Sequence, residues 1–470
     1  MADQQTNQYD LIVLGAGPAG EKGAAQAAYF GKRVALVEQD EVGGTAVNTG
    51  TLPSKTLRET ALYLSGFRQR GLYGVEYNFD REVTVDDLIR RERDIVRGHQ
   101  QLVGQNIGRH GIELFHGAAA LEDAHTVRVA HQHGPATLRG DVVLIATGSR
   151  PFRPPEVPFD GRSVYDSDDI LHLKRIPSSL IVIGGGVVGC EYATLFAALG
   201  IAVTLIDGNE QILPFLDREV AGILVERMGA LGIFLRQGRR VAAVHAAAGE
   251  EPARVSLSEG DELRAEAVLF SGGRSGNTER LGLERLGVLA RKRGLIDVNE
   301  RFQTSVPNIY ASGDVIGSPA LASTAMEEAR VALCHAFGFE YKQRVSGLVP
   351  QAVYTIPEVS MVGETEEALT ASGQSYLVGR ASYRINPRAE ILGDTSGLVK
   401  LLFDPDDQRV LGVHVVGEQA SELIHLGQAC MHFGGTLDFF IQTVFNFPTL
   451  SDLYKYAAYD GLGRLQRERE

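Results

Sequence analysis

Cysteine is scarce in this chain, with three residues (Cys190, Cys334 and Cys430) among 470. They lie far apart and form no CxxC or metal-like spacing, which excludes a disulfide scaffold and a zinc knuckle. A reducing compartment is the natural setting. Basic residues are also in deficit, 46 against 59 acidic, giving a formal charge of −13. That balance argues against a general nucleic-acid or anionic-membrane binder, because both need a basic surface. No apolar run reaches the roughly 18 residues of a membrane span. The polar N-terminus, MADQQTNQYD, lacks the basic and then apolar regions of a signal peptide. A soluble, cytoplasmic protein is therefore expected. The 12 histidines contain no HxxxH or HExxH pattern, so no metal site is expected.

Glycine, by contrast, is abundant. Its 54 residues exceed the usual share of about 7% and suggest tight turns and close backbone approach to ligands. The length suggests roughly three domains. Tyr9–Leu14 reads as a buried strand that enters Gly15-Ala16-Gly17-Pro18-Ala19-Gly20. An alanine-rich helix follows, and the strand Arg33–Val37 ends at Glu38, eighteen residues after Gly20. The pattern then repeats. The strand Ser179–Ile183 enters Gly184-Gly185-Gly186-Val187-Val188-Gly189, a helix follows, and Ala202–Ile206 ends at Asp207. Each fingerprint position recurs 169 residues later, which marks an internal repeat of a nucleotide-binding unit.

Both copies have strand–turn–helix context and a correctly spaced acid, which a lone GxGxxG lacks. The glycines admit a pyrophosphate, the helix N-terminus offers partial positive charge, and the acid accepts from a ribose diol. Two dinucleotides in one chain point to hydride transfer between a nicotinamide and a flavin. Two further strands, Asp141–Ala146 and Ala267–Phe270, also end in small residues. From about Gly347 the chain reads as an α+β domain without a fingerprint.

With these motifs the chain resembles the FAD-dependent pyridine nucleotide–disulfide oxidoreductases. The fold this implies is α/β, with two Rossmann-like domains, for FAD and NAD(P), plus a C-terminal α+β dimerisation domain. The divisions expected are 1–150 and 276–346 for FAD, 151–275 for NAD(P), and 347–470 for dimerisation. The resemblance assigns FAD contacts to Gly15, Gly17, Pro18, Ala19, Gly20, Glu38, Gly44, Thr45, Lys55, Thr147, Gly148, Gly313, Asp314 and Ala322. It assigns nicotinamide nucleotide contacts to Gly184, Gly186, Val187, Val188, Gly189, Glu191, Asp207 and Gly273. Lys55 and Glu191 match family positions that form an ion pair at the flavin, and they are the expected catalytic side chains. Val187 falls where some relatives carry an aromatic gate.

The departures are more informative. The family's redox disulfide segment is Gly43–Lys55 here, and Ala46 and Thr51 occupy its two cysteine places. Phe447 stands before Pro448 where the family has its proton-transferring histidine, and Asp452 replaces the glutamate that follows it. Neither alanine nor threonine forms a disulfide, and phenylalanine carries no proton. The joint loss is similar to the transhydrogenase branch of the family, as are Gly273–Thr278, Val378–Ala381, Glu418–Gln428 and Phe445–Thr449. Ala46 departs even from that branch, where the first cysteine place often keeps its cysteine.

The expected activity is hydride exchange between NAD(H) and NADP(H) through FAD in a homodimer or higher homo-oligomer. An NAD(P)H oxidase or diaphorase, and a catalytically silent flavin protein, are the alternatives. Asp207 favours NAD. Arg236, Arg239, Arg240 and Arg274 are the cations available for the 2′-phosphate of NADP. Cys190 reads as a helix-packing residue. His425 and His432 read as structural, and the aromatics from Phe439 to Tyr459 as core or interface.

Overall fold

The computed structural model describes residues 7–67, 72–73, 83–131 and 134–470. The chain divides into two compact units. The first comprises Met1–Thr56, Ile89–Phe152 and Gly273–Ser346; the second comprises Leu57–Leu88, Arg153–Gly272 and Gly347–Glu470.

In the first unit, β1 (Gln8–Leu14), α1 (Pro18–Tyr29) and β2 (Val34–Glu38) form the expected βαβ. β1 pairs in parallel with β2 on one side and with Ala136–Ile145 on the other, and Ile309–Ala311 extends the parallel set. Central parallel strands are covered on both faces, so their sequence is continuously apolar rather than alternating. Leu11 and Val13 pack with the alanines of α1, while Ile12 and Leu14 face the opposite cluster around Leu121 and Val127. Burial of each such side chain stabilises by about 1.5–3 kcal/mol. Pro18 starts α1, where its missing N–H costs nothing. Gly23 lets α1 lie close, since a Cβ there would meet Leu144, Leu333 and Ala329 at 3.0–3.3 Å.

The second unit repeats the device. β3 (Ser179–Ile183), α2 (Val187–Ala198) and β4 (Ala202–Ile206) form a parallel βαβ, with Phe234–Arg236 beyond β4 and Ala267–Phe270 beyond β3. α2 is apolar around most of its circumference and correspondingly buried along its length. This unit also holds a five-stranded antiparallel sheet, in the order Gln351–Val353, Val359–Gly363, Val410–Val416, Leu398–Phe403, Leu377–Ser382. Helices Ala420–His432 and Leu453–Arg469 cover it. Phe440 and Tyr454 are fully buried there and stack with centroids 4.9 Å apart, whereas Phe439, Phe447, Tyr456 and Tyr459 are exposed. No helix among the described residues is long and apolar enough to cross a membrane.

Candidate functional site

Gly15 ends β1 with φ +101°, in the left-handed region that favours glycine. Its N–H donates to the Val37 carbonyl at 2.7 Å, and a Cβ on Gly20 would overlap the carbonyl of Gly15. These two glycines bring the N-terminus of α1, with Gly17, Pro18 and Ala19, hard against the strand end. Gly44, also at positive φ, comes so near that its Cβ would lie 2.7 Å from Gly17 Cα. Glu38 is buried at the end of β2. Its Oε2 accepts from Ala16 N at 2.7 Å and its Oε1 from Asp40 N at 2.9 Å. Each oxygen keeps a second lone pair for a ribose hydroxyl.

Thr45, Thr147 and the Gly313-Asp314 turn lie close to this turn. Thr147 is braced by Asn277: its Oγ1 donates to the Asn277 carbonyl, and Asn277 Nδ2 donates back to the Thr147 carbonyl, both at 2.9 Å. Gly148 follows at φ +66°. A Cβ on Gly313 would sit 3.4 Å from Ala19 Cβ, so the Gly313-Asp314 turn reaches the start of α1. Asp314 Oδ2 accepts from Ser149 Oγ at 2.6 Å. Arg274 holds Ser149 in turn, through Nε to its Oγ at 2.7 Å and Nη2 to its carbonyl at 2.8 Å. Thr45 Oγ1 reaches the same carbonyl at 3.4 Å. Ala322 opens the helix Ala322–Phe337. Lys55 lies in helix Thr51–Leu64, half-buried, and donates to Ser54 Oγ at 3.2 Å.

Sequence reading missed Ser149 and Glu328, and it left Arg274 unplaced among the phosphate candidates. Arg274 belongs to the first unit and binds Ser149 beside Asp314. Glu328, buried in Ala322–Phe337, accepts the Gly313 N–H at 2.8 Å. Burial raises its carboxyl above the ordinary value, against the lowering effect of that hydrogen bond. Glu328→Ala would leave the buried Gly313 amide unsatisfied, a cost of about 1–3 kcal/mol. FAD release from the purified holoprotein should then accelerate on the order of tenfold or more, as read by recovery of free-flavin fluorescence.

The second turn is built in the same way. Gly184 has φ +109°, its N–H donates to the Ile206 carbonyl at 2.8 Å, and a Cβ on Gly189 would overlap the Gly184 carbonyl. Gly186, Val187 and Val188 open α2. Asp207 Oδ2 accepts from Gly185 N and its Oδ1 from Asn209 N, the latter at 2.7 Å. Glu191 is buried in α2, and its Oε1 accepts from Tyr354 N at 2.9 Å. Gly273 has φ +99° and opens the last segment of the first unit.

All three cysteines are buried and free. Cys190 donates to the Gly185 carbonyl at 3.4 Å. Burial, reinforced by the Asp207 and Glu191 carboxylates, holds its thiol far above the usual range. Burial pushes Cys430 up to about 11. Neither offers a thiolate near neutral pH. Among the described residues, Asp217, Glu219 and Glu366 form one carboxylate group close enough to hold a cation. The Lys400 ammonium already sits among them, 2.7 Å from Asp217 Oδ1 and 2.9 Å from Glu219 Oε2.

The first turn fits FAD. Gly15, Gly20 and Gly44 let the strand end, the start of α1 and the neighbouring loop close to backbone contact, which presents the amides at the helix N-terminus for a pyrophosphate, and Glu38 retains acceptor capacity. The matching models are the pyridine nucleotide-disulphide oxidoreductase model over residues 9–329 and that family's dimerisation domain over 349–458. The chain therefore belongs to the pyridine nucleotide-disulphide oxidoreductase family, a family of flavoproteins. Within it, the chain is 44% identical over 462 residues to a soluble pyridine nucleotide transhydrogenase of Mycobacterium tuberculosis, covering 98% of each. To that of Azotobacter vinelandii it is 40% identical, covering 97% of this chain and 99% of the relative. The LpdA structure from M. tuberculosis matches with a TM-score of 0.88 at 27% identity, covering 96% of this chain and 98% of that one. The HOCl-induced flavoprotein disulfide reductase RclA of Escherichia coli matches with a TM-score of 0.84 at 29% identity, covering 95% and 99%.

Proposed function

We propose that the protein is a soluble flavoenzyme that transfers hydride between NAD(H) and NADP(H) through FAD, by a ping-pong cycle without a redox disulfide. One observation carries this reading. The chain keeps both dinucleotide turns, yet Ala46, Thr51 and Phe447 stand where a thiol-reducing member has its cysteines and histidine. FAD is assigned to 1–150 and 276–346, and the pyridine nucleotide to 151–275.

Bound FAD would supply a two-electron acceptor and donor. The chain's own contribution is positioning, because hydride transfer needs near-contact geometry rather than an acid. The Gly15 and Gly184 turns each hold a pyrophosphate, and Glu38 and Asp207 each hold a ribose. Asp314, fixed by Ser149, orients the ribityl chain. We assign Lys55 and Glu191 to the reacting face, where the lysine stabilises charge arriving with the hydride. Val187 leaves the nicotinamide entrance ungated, so product and second substrate exchange readily. Phe433, Val444 and Phe447, exposed on the C-terminal domain, are assigned to a homodimer contact, in keeping with the dimerisation-domain match.

Anaerobic reductive titration tests the absence of a second redox centre. Uptake should stop at two electrons per FAD, with no new thiols. Uptake of four would overturn the reading. Initial rates should give parallel double-reciprocal lines; intersecting lines would replace ping-pong with a ternary complex. Lys55→Met should slow anaerobic flavin reduction by at least about tenfold while FAD content stays unchanged. Unaltered kinetics would remove Lys55 from the site.

A further inference from the structure

Asp207 creates a charge problem for the proposed function. A carboxylate at this strand end suits a ribose diol and repels a 2′-phosphate. The three residues that follow, Gly208, Asn209 and Glu210, carry no cation. The cation comes instead from the next strand. Phe234–Arg236 runs parallel to β4, and this pairing lays the turn Gln237–Arg240 along Asp207–Glu210. The two segments are tied by four hydrogen bonds. Asp207 N donates to the Arg236 carbonyl at 3.0 Å, Arg239 N to the Asp207 carbonyl at 3.0 Å and Gly238 N to the Asn209 carbonyl at 2.9 Å. Gln237 Nε2 donates to the Glu210 carbonyl at 2.8 Å.

This fixes Arg240 beside the ribose acid. Its Cγ lies 3.8 Å from where a Cβ on Gly208 would be, so its stem passes over the residue after Asp207. Gly208 has no side chain to block it. Two carboxylates flank the turn. Glu210 folds against Gly238, and Glu259 meets the half-exposed Arg239 at 3.7 Å. An exposed pair of that length is worth at most about 1 kcal/mol, so Arg239 can exchange it for a phosphate. Arg240 is exposed and makes no ion pair among the described residues. Asp207 meanwhile turns its two oxygens to the amides of Gly185, in the glycine turn after β3, and of Asn209, which offsets its repulsion of an anion.

We propose that Arg240, assisted by Arg239, recognises the 2′-phosphate of NADP(H). One strand end thus accepts both nucleotides: Asp207 for the ribose diol of NAD(H), Arg240 for the phosphate of NADP(H). The inference rests on the transhydrogenase reading, and its test is kept apart from turnover. NADP⁺ and NAD⁺ are titrated calorimetrically into oxidised holoprotein, wild type and variants. Arg240→Ala should weaken NADP⁺ by at least about tenfold and leave NAD⁺ within about twofold, and Arg240→Lys should recover part of the loss. Arg239→Ala should show a smaller loss with the same selectivity. Equal weakening of both nucleotides, or of neither, would overturn the assignment. NADP⁺ bound through Arg240 in a protein that passes no hydride would overturn the functional reading alone.

Discussion

Gly189→Ala should abolish productive use of pyridine nucleotide while FAD stays bound. A methyl at this position would overlap the Gly184 carbonyl and approach Ser271 Oγ to 2.7 Å. Backbone cannot yield as a flexible side-chain tip can, so relief requires α2 to move away from β3. That carries the amides at the helix start off the pyrophosphate. A shift of about 1 Å in a positioned reactant costs on the order of 100-fold, so bleaching by both NADH and NADPH should slow by at least that factor. FAD content should remain that of the wild type, because the first unit has its own turn. Gly20→Ala should do the reverse and yield protein without flavin, since Gly20 meets Gly15 as Gly189 meets Gly184. Loss of FAD from Gly189→Ala, with nucleotide binding intact, would invert the assignment of the two turns.

Lys400→Met should cost more stability than any surface substitution. Lys400 lies within the strand Leu398–Phe403, and its side chain is fully buried. It bonds both oxygens of the buried Asp217, at 2.7 and 2.8 Å, and also pairs with Glu219 and Glu366. Arg380 makes a second, bidentate hold on Glu219. Burial alone would raise the Asp217 and Glu219 carboxyls. Lys400 at Asp217, and Arg380 with Lys400 at Glu219, outweigh it and hold both below their ordinary values. Removing one partner of a buried pair costs about 3–5 kcal/mol. In the wild type, this depressed pair contributes stability that is complete above about pH 4.3 and is lost as pH falls through the folded-state values. In Lys400→Met the crowded carboxylates should favour protonation instead, so its deficit should shrink from pH 7 to pH 5. Denaturant unfolding at the two pH values measures both effects. A loss below about 1 kcal/mol would put the cluster in the class of exposed pairs.

Local pattern made the two turns legible, because spacing alone sets them. The structure extends the sequence repeat to single hydrogen bonds. Ala16 and Asp40 donate to Glu38 as Gly185 and Asn209 donate to Asp207, at the same displacement of 169. What escaped the sequence depends on partners distant in the chain. Glu328 reads as a helix-surface charge until Gly313 is placed against it. Nothing local ties Arg274 to Ser149, 125 residues away. Lys400 sits in an apolar strand whose charge makes sense only with Asp217, 183 residues earlier. Arg240 is one of four candidate cations in the sequence, and strand pairing is what singles it out.

Hydride exchange between the two nucleotides is tested most directly without oxygen. Holoprotein is reduced with NADPH until the flavin bleaches, NADP⁺ is removed, and NAD⁺ is added. Flavin colour should return with formation of one NADH per FAD, and lipoamide or glutathione disulfide added in place of NAD⁺ should leave the flavin bleached. Reoxidation by a disulfide, or bleaching that only oxygen reverses, would contradict this reading.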